Sequence, residues 1–201
     1  MEKDYLEQIK NYNIRQAWPI AEKTALLVID MQQYFRGLAE PILSNVISLI
    51  DVCRVSGVKI FFTRHGHRDT EKNGGMLSEW WEDVIYYGSA EWGLIRELKV
   101  NEKETILDKN RYSAFFGTDL DERLRVERVE DLVICGVMTN CCCETTARDA
   151  FVRDYRVFFV ADATATANEE LHLASLKNLA YGFAYIVNTM HICQKLTYSL
   201  K

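Results

Sequence analysis

Six short apolar runs, each parted from the next by a helical pattern or a polar stretch, constrain the fold of this chain more than any other feature. Thr24-Ala25-Leu26-Leu27-Val28-Ile29-Asp30 is apolar up to its terminal acid, as a strand buried on both faces is. Val58 to Thr63, Thr105 to Lys109, Asp131 to Gly136, Arg156 to Val160 and Ala184 to Val187 read as further strands. Between them, Ile42 to Val55 carries Ile42, Val46, Leu49, Ile50 and Cys53 at helical spacing and stops at Gly57. Asp119 to Val126, Asn140 to Arg153 and Glu169 to Tyr181 are also helical in pattern. This alternation predicts an α/β fold: three layers, α-β-α, around a six-stranded parallel sheet of Rossmann-like topology. Over 201 residues it predicts one domain, 1–201, with residues 1–20 as an N-terminal extension. A helix from Tyr5 to Tyr12 would pack on the domain or on a partner subunit. The polar stretch from Arg64 to about Val100, with Gly74-Gly75, Trp80-Trp81 and Trp92, is long enough to be a functional loop.

In an open parallel sheet, ligands bind beyond the carboxyl ends of the strands. Asp30 ends the first strand, Arg64, His65 and His67 follow the second, and Lys109 ends the third. Gly136 to Cys142 follows the fourth, and Asp162 ends the fifth. With Thr139 or Asn140 as the N-cap, Cys142 falls in the first turn of a helix, where unbonded N–H groups and the helix dipole favour a thiolate. The same N–H groups suit an oxyanion. Successive helix residues are about 100° apart, so no more than one of Cys141, Cys142 and Cys143 faces a site. Asp30 then reads as a general base, and Lys109 as a cation that stabilises both carboxylate and thiolate. The bland alternatives are three small buried thiols and a buried structural Asp–Lys pair.

A net charge of −5 argues against nucleic acid as the partner. Met1-Glu2-Lys3-Asp4-Tyr5 carries no signal pattern, and no apolar run approaches the length of a membrane span. The expectation is a cytoplasmic protein whose six cysteines stay reduced. No Gly-rich turn follows the first strand, which weakens a dinucleotide-binding reading.

Three stretches resemble the isochorismatase-like cysteine hydrolases. They are Leu27 to Gln32, Lys109-Asn110-Arg111-Tyr112-Ser113-Ala114-Phe115, and Gly136-Val137-Met138-Thr139-Asn140-Cys141-Cys142 running on to Ala150. Val160 to Ala163 also fits, and the similarity extends from roughly Thr24 to Val187. The resemblance implies an Asp30–Lys109–Cys142 triad and a cis peptide between Val137 and Met138. It further implies oxyanion donors at the backbone N–H groups of Met138 and Cys142. In the implied mechanism Asp30 takes the thiol proton, the thiolate attacks an amide-like carbonyl, and water hydrolyses the thioester. The implied partners are a small-molecule substrate and copies of the same chain, as a dimer or tetramer.

Two chemistries occur within that resemblance. Amidase-type members, such as nicotinamidases and ureidoacrylate or carbamoylsarcosine hydrolases, use the cysteine. True isochorismatases hydrolyse a vinyl ether by acid catalysis and are similar in carrying Gly at that position. Cys142 favours the thiol route on a small amide or ureide. Arg111 to Phe115 and Glu170 to Lys177 resemble isochorismatases instead, which keeps a vinyl-ether hydrolase with Asp30 as general acid as the alternative. A catalytically silent scaffold, or a redox sensor built on the triple cysteine, are the remaining readings. Nicotinamidases add a metal held by an Asp-x-His pair and a later His. At the matching His65-Gly66-His67 the acid is replaced and no third His follows nearby, so neither metal nor cofactor is expected. Gln32, Phe35, Arg64, His65, Tyr112 and Phe115 are candidate substrate contacts, with Arg64 a carboxylate anchor. Tyr34, Trp80 and Trp81 would complete an aromatic pocket.

Overall fold

The computed structural model describes residues 4–81 and 83–198, so residues 1–3 of the expected extension and the last three of the expected domain lie outside the described residues. The strands are β1 (Thr24–Ile29), β2 (Lys59–His65), β3 (Thr105–Lys109), β4 (Asp131–Val137), β5 (Arg156–Ala165) and β6 (Tyr185–Val187). They form one six-stranded sheet in the order β3-β2-β1-β4-β5-β6. Every neighbouring pair is parallel. The α-helices are α1 (Tyr5–Gln8), α2 (Arg36–Ala39), α3 (Leu43–Val55), α4 (Thr70–Asn73), α5 (Met76–Trp80), α6 (Leu120–Val126), α7 (Glu144–Val152), α8 (Glu169–Gly182) and α9 (Thr189–Tyr198).

Central strands β1 and β4 are buried along their whole lengths, which is why their sequences run apolar without alternation. Their side chains feed two cores. Leu27, Ile29, Leu132 and Ile134 pack with Ala147 and Leu176 on one face. Leu26, Val28, Val133 and Cys135 pack with Val46, Leu49, Ile50 and Leu196 on the other. The chain leaves β1 toward β2 on one side and returns to β4 on the other, so the carboxyl ends of β1 and β4 flank the switch point where ligands bind in such sheets.

Several elements differ from the sequence reading. β2 continues two residues past Thr63, to His65. β5 continues past Val160 to Ala165, after a register shift against β4 between Ile134 and Gly136, so Asp162 lies within the strand rather than at its end. The helix expected from Asn140 begins instead as a π-helical turn, Thr139–Cys143, before α7. Met138 precedes that turn without a side-chain cap, so neither Thr139 nor Asn140 acts as the N-cap. Helix α9, absent from the sequence reading, buries Ile192 and Leu196 in the core it shares with α3.

The expected Tyr5–Tyr12 helix is a single turn, α1, capped by the Asp4 carboxylate, which accepts from the Glu7 N–H at 3.0 Å. Ile9 beyond it is fully buried. Asn13 then pairs with the edge strand: its Nδ2 donates to Ile186 O at 2.9 Å, and Ile186 N–H donates to its Oδ1 at 3.3 Å. The extension therefore packs on its own domain. The 64–100 stretch holds α4 and α5 and is tied down by single bridges, Gln32 to Leu94 and His67 to Tyr86. Among the described residues no helix is long and apolar enough to cross a membrane.

Candidate active site

Asp30 leaves β1 with φ 48°, a left-handed conformation that Asp tolerates better than most residues. Thr63 of β2 holds it there twice. The Asp30 N–H donates to Thr63 Oγ1 at 3.0 Å, and that hydroxyl donates to Asp30 Oδ1 at 2.6 Å. Lys109 comes from β3, which is separated from β1 by β2. Two interstrand spacings are about 9.6 Å, and the Lys109 and Asp30 side chains together bridge them over β2. Its Nζ reaches Asp30 Oδ2 at 2.7 Å, Cys142 Sγ at 3.3 Å and the Arg111 carbonyl at 3.0 Å.

Gly136 lets β4 approach β1 just before the cysteine turn. It has φ 117°, and a Cβ there would stand 2.0 Å from Ile29 O. The Val137–Met138 peptide that follows is cis. The turn bearing Cys142 is drawn onto Met138 O, which accepts from the N–H groups of Cys141 at 3.1 Å and Cys143 at 3.2 Å. Thr139 Oγ1 lies 2.9 Å from His172 Nδ1 on α8, fixing the start of the turn to the next helix.

Cys142 opens onto a cavity of about 340 Å³ whose wall includes Tyr34, Phe35, Leu38, His65, His67, Leu77, Trp81, Ile85, Tyr112, Met138 and Cys141. Trp81 closes one side by donating its indole N–H to Tyr112 Oη at 2.8 Å.

With that site in view, the family comparison is decisive: the model of the isochorismatase domain matches residues 24–190. The chain belongs to the isochorismatase family. It is 49% identical to nicotinamidase 3 of Arabidopsis thaliana over 194 residues, 95% of this chain and 96% of that one. A cysteine hydrolase of Pseudomonas syringae pv. phaseolicola 1448A superposes with a TM-score of 0.87 at 27% identity, covering 91% of this chain and 97% of the other. A pyrazinamidase/nicotinamidase of Streptococcus mutans UA159 gives 0.73 at 29% identity, covering 82% and 99%. This isochorismatase-family hydrolase shares their α/β fold.

Burial dominates the electrostatics of the hydrolase's site. It pushes the Cys142 thiol well above the ordinary range; Lys109 opposes that shift and the Asp30 carboxylate adds to it. The thiol therefore rests protonated, whereas the position of Cys142 near a helix start suggests a thiolate. Burial alone would lower Lys109, but Asp30 and then Cys142 outweigh it and hold the ammonium charged. His65 is pushed down to about 3 by burial and then by the Lys109 charge, so its ring is neutral. The ammonium pairs with Asp30 Oδ2 at 2.7 Å, while Asp30 Oδ1 is taken by the Thr63 hydroxyl.

Of the candidate contacts, Phe35, His65 and Tyr112 line the cavity. Gln32, Arg64 and Phe115 do not. Gln32 is fully buried, and its amide is spent on backbone: it donates to His65 O at 3.0 Å and Trp92 O at 2.9 Å and accepts from His65 N–H at 2.7 Å. It braces the loop instead of meeting a ligand. Arg64 is turned outward, paired with Asp108 at 2.8 Å and stacked over Trp92 at 3.6 Å. Phe115 is a core residue stacked on Tyr155. Trp80 is exposed on an outer groove, and Asp162 accepts from Thr189 N–H at 2.7 Å. Thr63, Leu38, Leu77 and Ile85 were not singled out in the sequence, where each reads as an ordinary strand or apolar residue.

Where the nicotinamidase metal pattern would place an acid, this chain has His65. His65 and His67 both reach the wall, but among the described residues no group of three or more His, Cys, Asp or Glu could hold an ion. No step below is routed through a metal.

Proposed function

We propose that this hydrolase cleaves the C–N bond of a small uncharged amide through a Cys142 thioester, with Asp30, Lys109 and Cys142 as its triad. The observation that carries the reading is one buried ammonium in reach of both partners, 2.7 Å from the carboxylate and 3.3 Å from the thiol. At rest the cluster holds a carboxylate, an ammonium and a neutral thiol. Moving the thiol proton to Asp30 Oδ2 leaves a carboxylic acid, an ammonium and a thiolate, so the buried net charge does not change. The transfer therefore avoids the desolvation penalty of creating a new charge. The thiolate adds to the carbonyl carbon, and the N–H groups of Met138 and Cys142 receive the oxyanion. Asp30 returns its proton to the leaving nitrogen, the C–N bond breaks, and an amine or ammonia departs. Asp30 then draws a proton from water, which hydrolyses the thioester and restores the thiol.

Among the described residues neither Arg nor Lys lines the cavity, Arg64 is committed to Asp108, and the Lys109 charge is already balanced by Asp30. A dianion such as isochorismate finds no anchor there, while an aromatic carboxamide of the size of nicotinamide suits walls of Phe35, Trp81 and Tyr112. Six free thiols fit a reducing cytosolic setting, and the reading includes a homo-oligomer, dimer or tetramer. The test is a hydrolysis screen of small amides, ureides and isochorismate beside Cys142→Ala. Amide turnover that falls by roughly 10⁴-fold or more in the variant is expected. Isochorismate turnover that survives the substitution, with no amide turned over, would instead establish the vinyl-ether route.

A further inference from the structure

His67 is 1% exposed, and its Nδ1 lies 3.2 Å from the carbonyl oxygen of Asn73. A carbonyl only accepts, so the ring proton sits on Nδ1. That leaves Nε2 as a bare lone pair. It is buried and, among the described residues, has no hydrogen-bond partner. His65 Nδ1 is likewise buried and without a hydrogen-bond partner among the described residues. Since the ring's bond to the Arg111 backbone carbonyl takes the proton on its other nitrogen, Nδ1 is a lone pair as well. The two rings meet edge to face, 5.1 Å between centroids, and both form the wall of the cavity that Cys142 opens onto. Buried acceptors are rarely left unpaired, because desolvation without a partner is costly. Asn73 O also accepts from Arg111 Nη1 at 2.9 Å, and the His67 backbone N–H donates to Ile85 O at 2.8 Å.

We infer that His65 and His67 are an acceptor pair that reads a hydrogen-bond donor on the substrate, which places the substrate among small neutral amides or ureides bearing an N–H or O–H group besides the scissile amide. An imidazole lone pair gains nothing from an aza nitrogen, which is itself an acceptor, and gains a bond from an amino, ureido or hydroxyl group. A site built around such a bond discriminates strongly against an analogue that lacks the donor.

This rests on the amide-hydrolase reading of the same cavity, and the two fail separately. If the parent enzyme turns over no amide, the hydrolase reading fails; amide turnover without donor preference overturns the acceptor pair alone. The direct measurement is binding to the Cys142→Ala protein by calorimetry. Hydroxybenzamides and their methoxy counterparts at the ortho, meta and para positions serve as probes, with nicotinamide as the acceptor-only reference. At one ring position the hydroxyl compound should bind roughly tenfold or more tightly than its methoxy partner. Adding His67→Phe should abolish that preference, and His67→Gln, which keeps an acceptor, should retain part of it. If His67→Phe does not fold by circular dichroism, the Gln variant and the parent ligand series decide the matter. Equal binding of each hydroxyl and methoxy pair would overturn the inference, as would a preference that survives His67→Phe. One-to-one zinc binding lost in that variant would also overturn it, since the lone pairs would then be metal ligands.

Discussion

Thr63 contributes one hydroxyl, used in both directions on Asp30, and so holds a left-handed acid against the ammonium it must meet. Thr63→Val keeps the shape and removes both bonds. It is expected to lower kcat by roughly 10–100-fold with little change in KM, since misplacement of a reacting group weighs on the chemical step. It should also cost about 1–3 kcal/mol of stability, because the Asp30 N–H is left buried and unpaired; steady-state kinetics and urea unfolding read the two effects separately. His65 offers a second test. Its folded pKa, about 3, lies below the ordinary value of 6.5. Above that ordinary value the ring is neutral in both states and stability does not depend on it. As pH falls from there toward about 3, the unfolded chain takes a proton that the folded chain refuses, so stability declines across that window. Urea midpoints should fall with pH over this range, and less steeply in His65→Gln; parallel slopes would remove His65 as the cause. Asp30, Lys109 and Cys142 were legible as charged or reactive groups at strand ends. Thr63 was not, because a Thr closing an apolar run looks like any β-branched strand residue, and only the β1–β2 register brings it to Asp30. Arg64 misled for the converse reason: its chemistry suits an anchor, but Asp108 beside it in the register captures it.

At the scale of elements, the nucleophile depends on how tightly β4 lies against β1. Gly136→Ala puts a methyl 2.0 Å from Ile29 O at a φ that L side chains rarely adopt. It should destabilise the protein by more than about 3 kcal/mol. Gly37→Ala, which meets nothing within 4 Å in α2, is the control and should be neutral or gain up to about 1 kcal/mol. Equal denaturation midpoints for the two would refute the close-approach argument. Strand existence was readable from the runs, but two ends were not. β5 outlasts its apolar run because a register shift carries it on through Asp162 and Thr164. The cysteine helix opens with a π turn because Met138 O gathers two N–H groups, a matter of backbone geometry with no residue signature.

For the molecule as a whole, alternation of runs and helices gave the layers and the parallel sheet, and the switch point gave the side of the sheet on which to look. The destination of the first residues could not be read, since an amphipathic turn fits a partner's surface as well as its own. Ile9 is fully buried and Asn13 completes the hydrogen bonding of β6. Deleting residues 1–13 is therefore expected to cost about 2–5 kcal/mol without moving the triad, a loss that thermal unfolding with and without the segment would register. An unchanged melting temperature would show that the segment only rests on the surface.

Asn13 and Ile186 lie 173 positions apart. During synthesis the segment that seals this edge emerges long before the residues that form its seat. Until β6 is made, it has nothing to clasp, and the nascent β5 carries an unpaired flank that other chains can add to. Synthesis of this edge strand, rather than formation of the sheet's centre, is thus the moment at which that flank becomes safe from other copies.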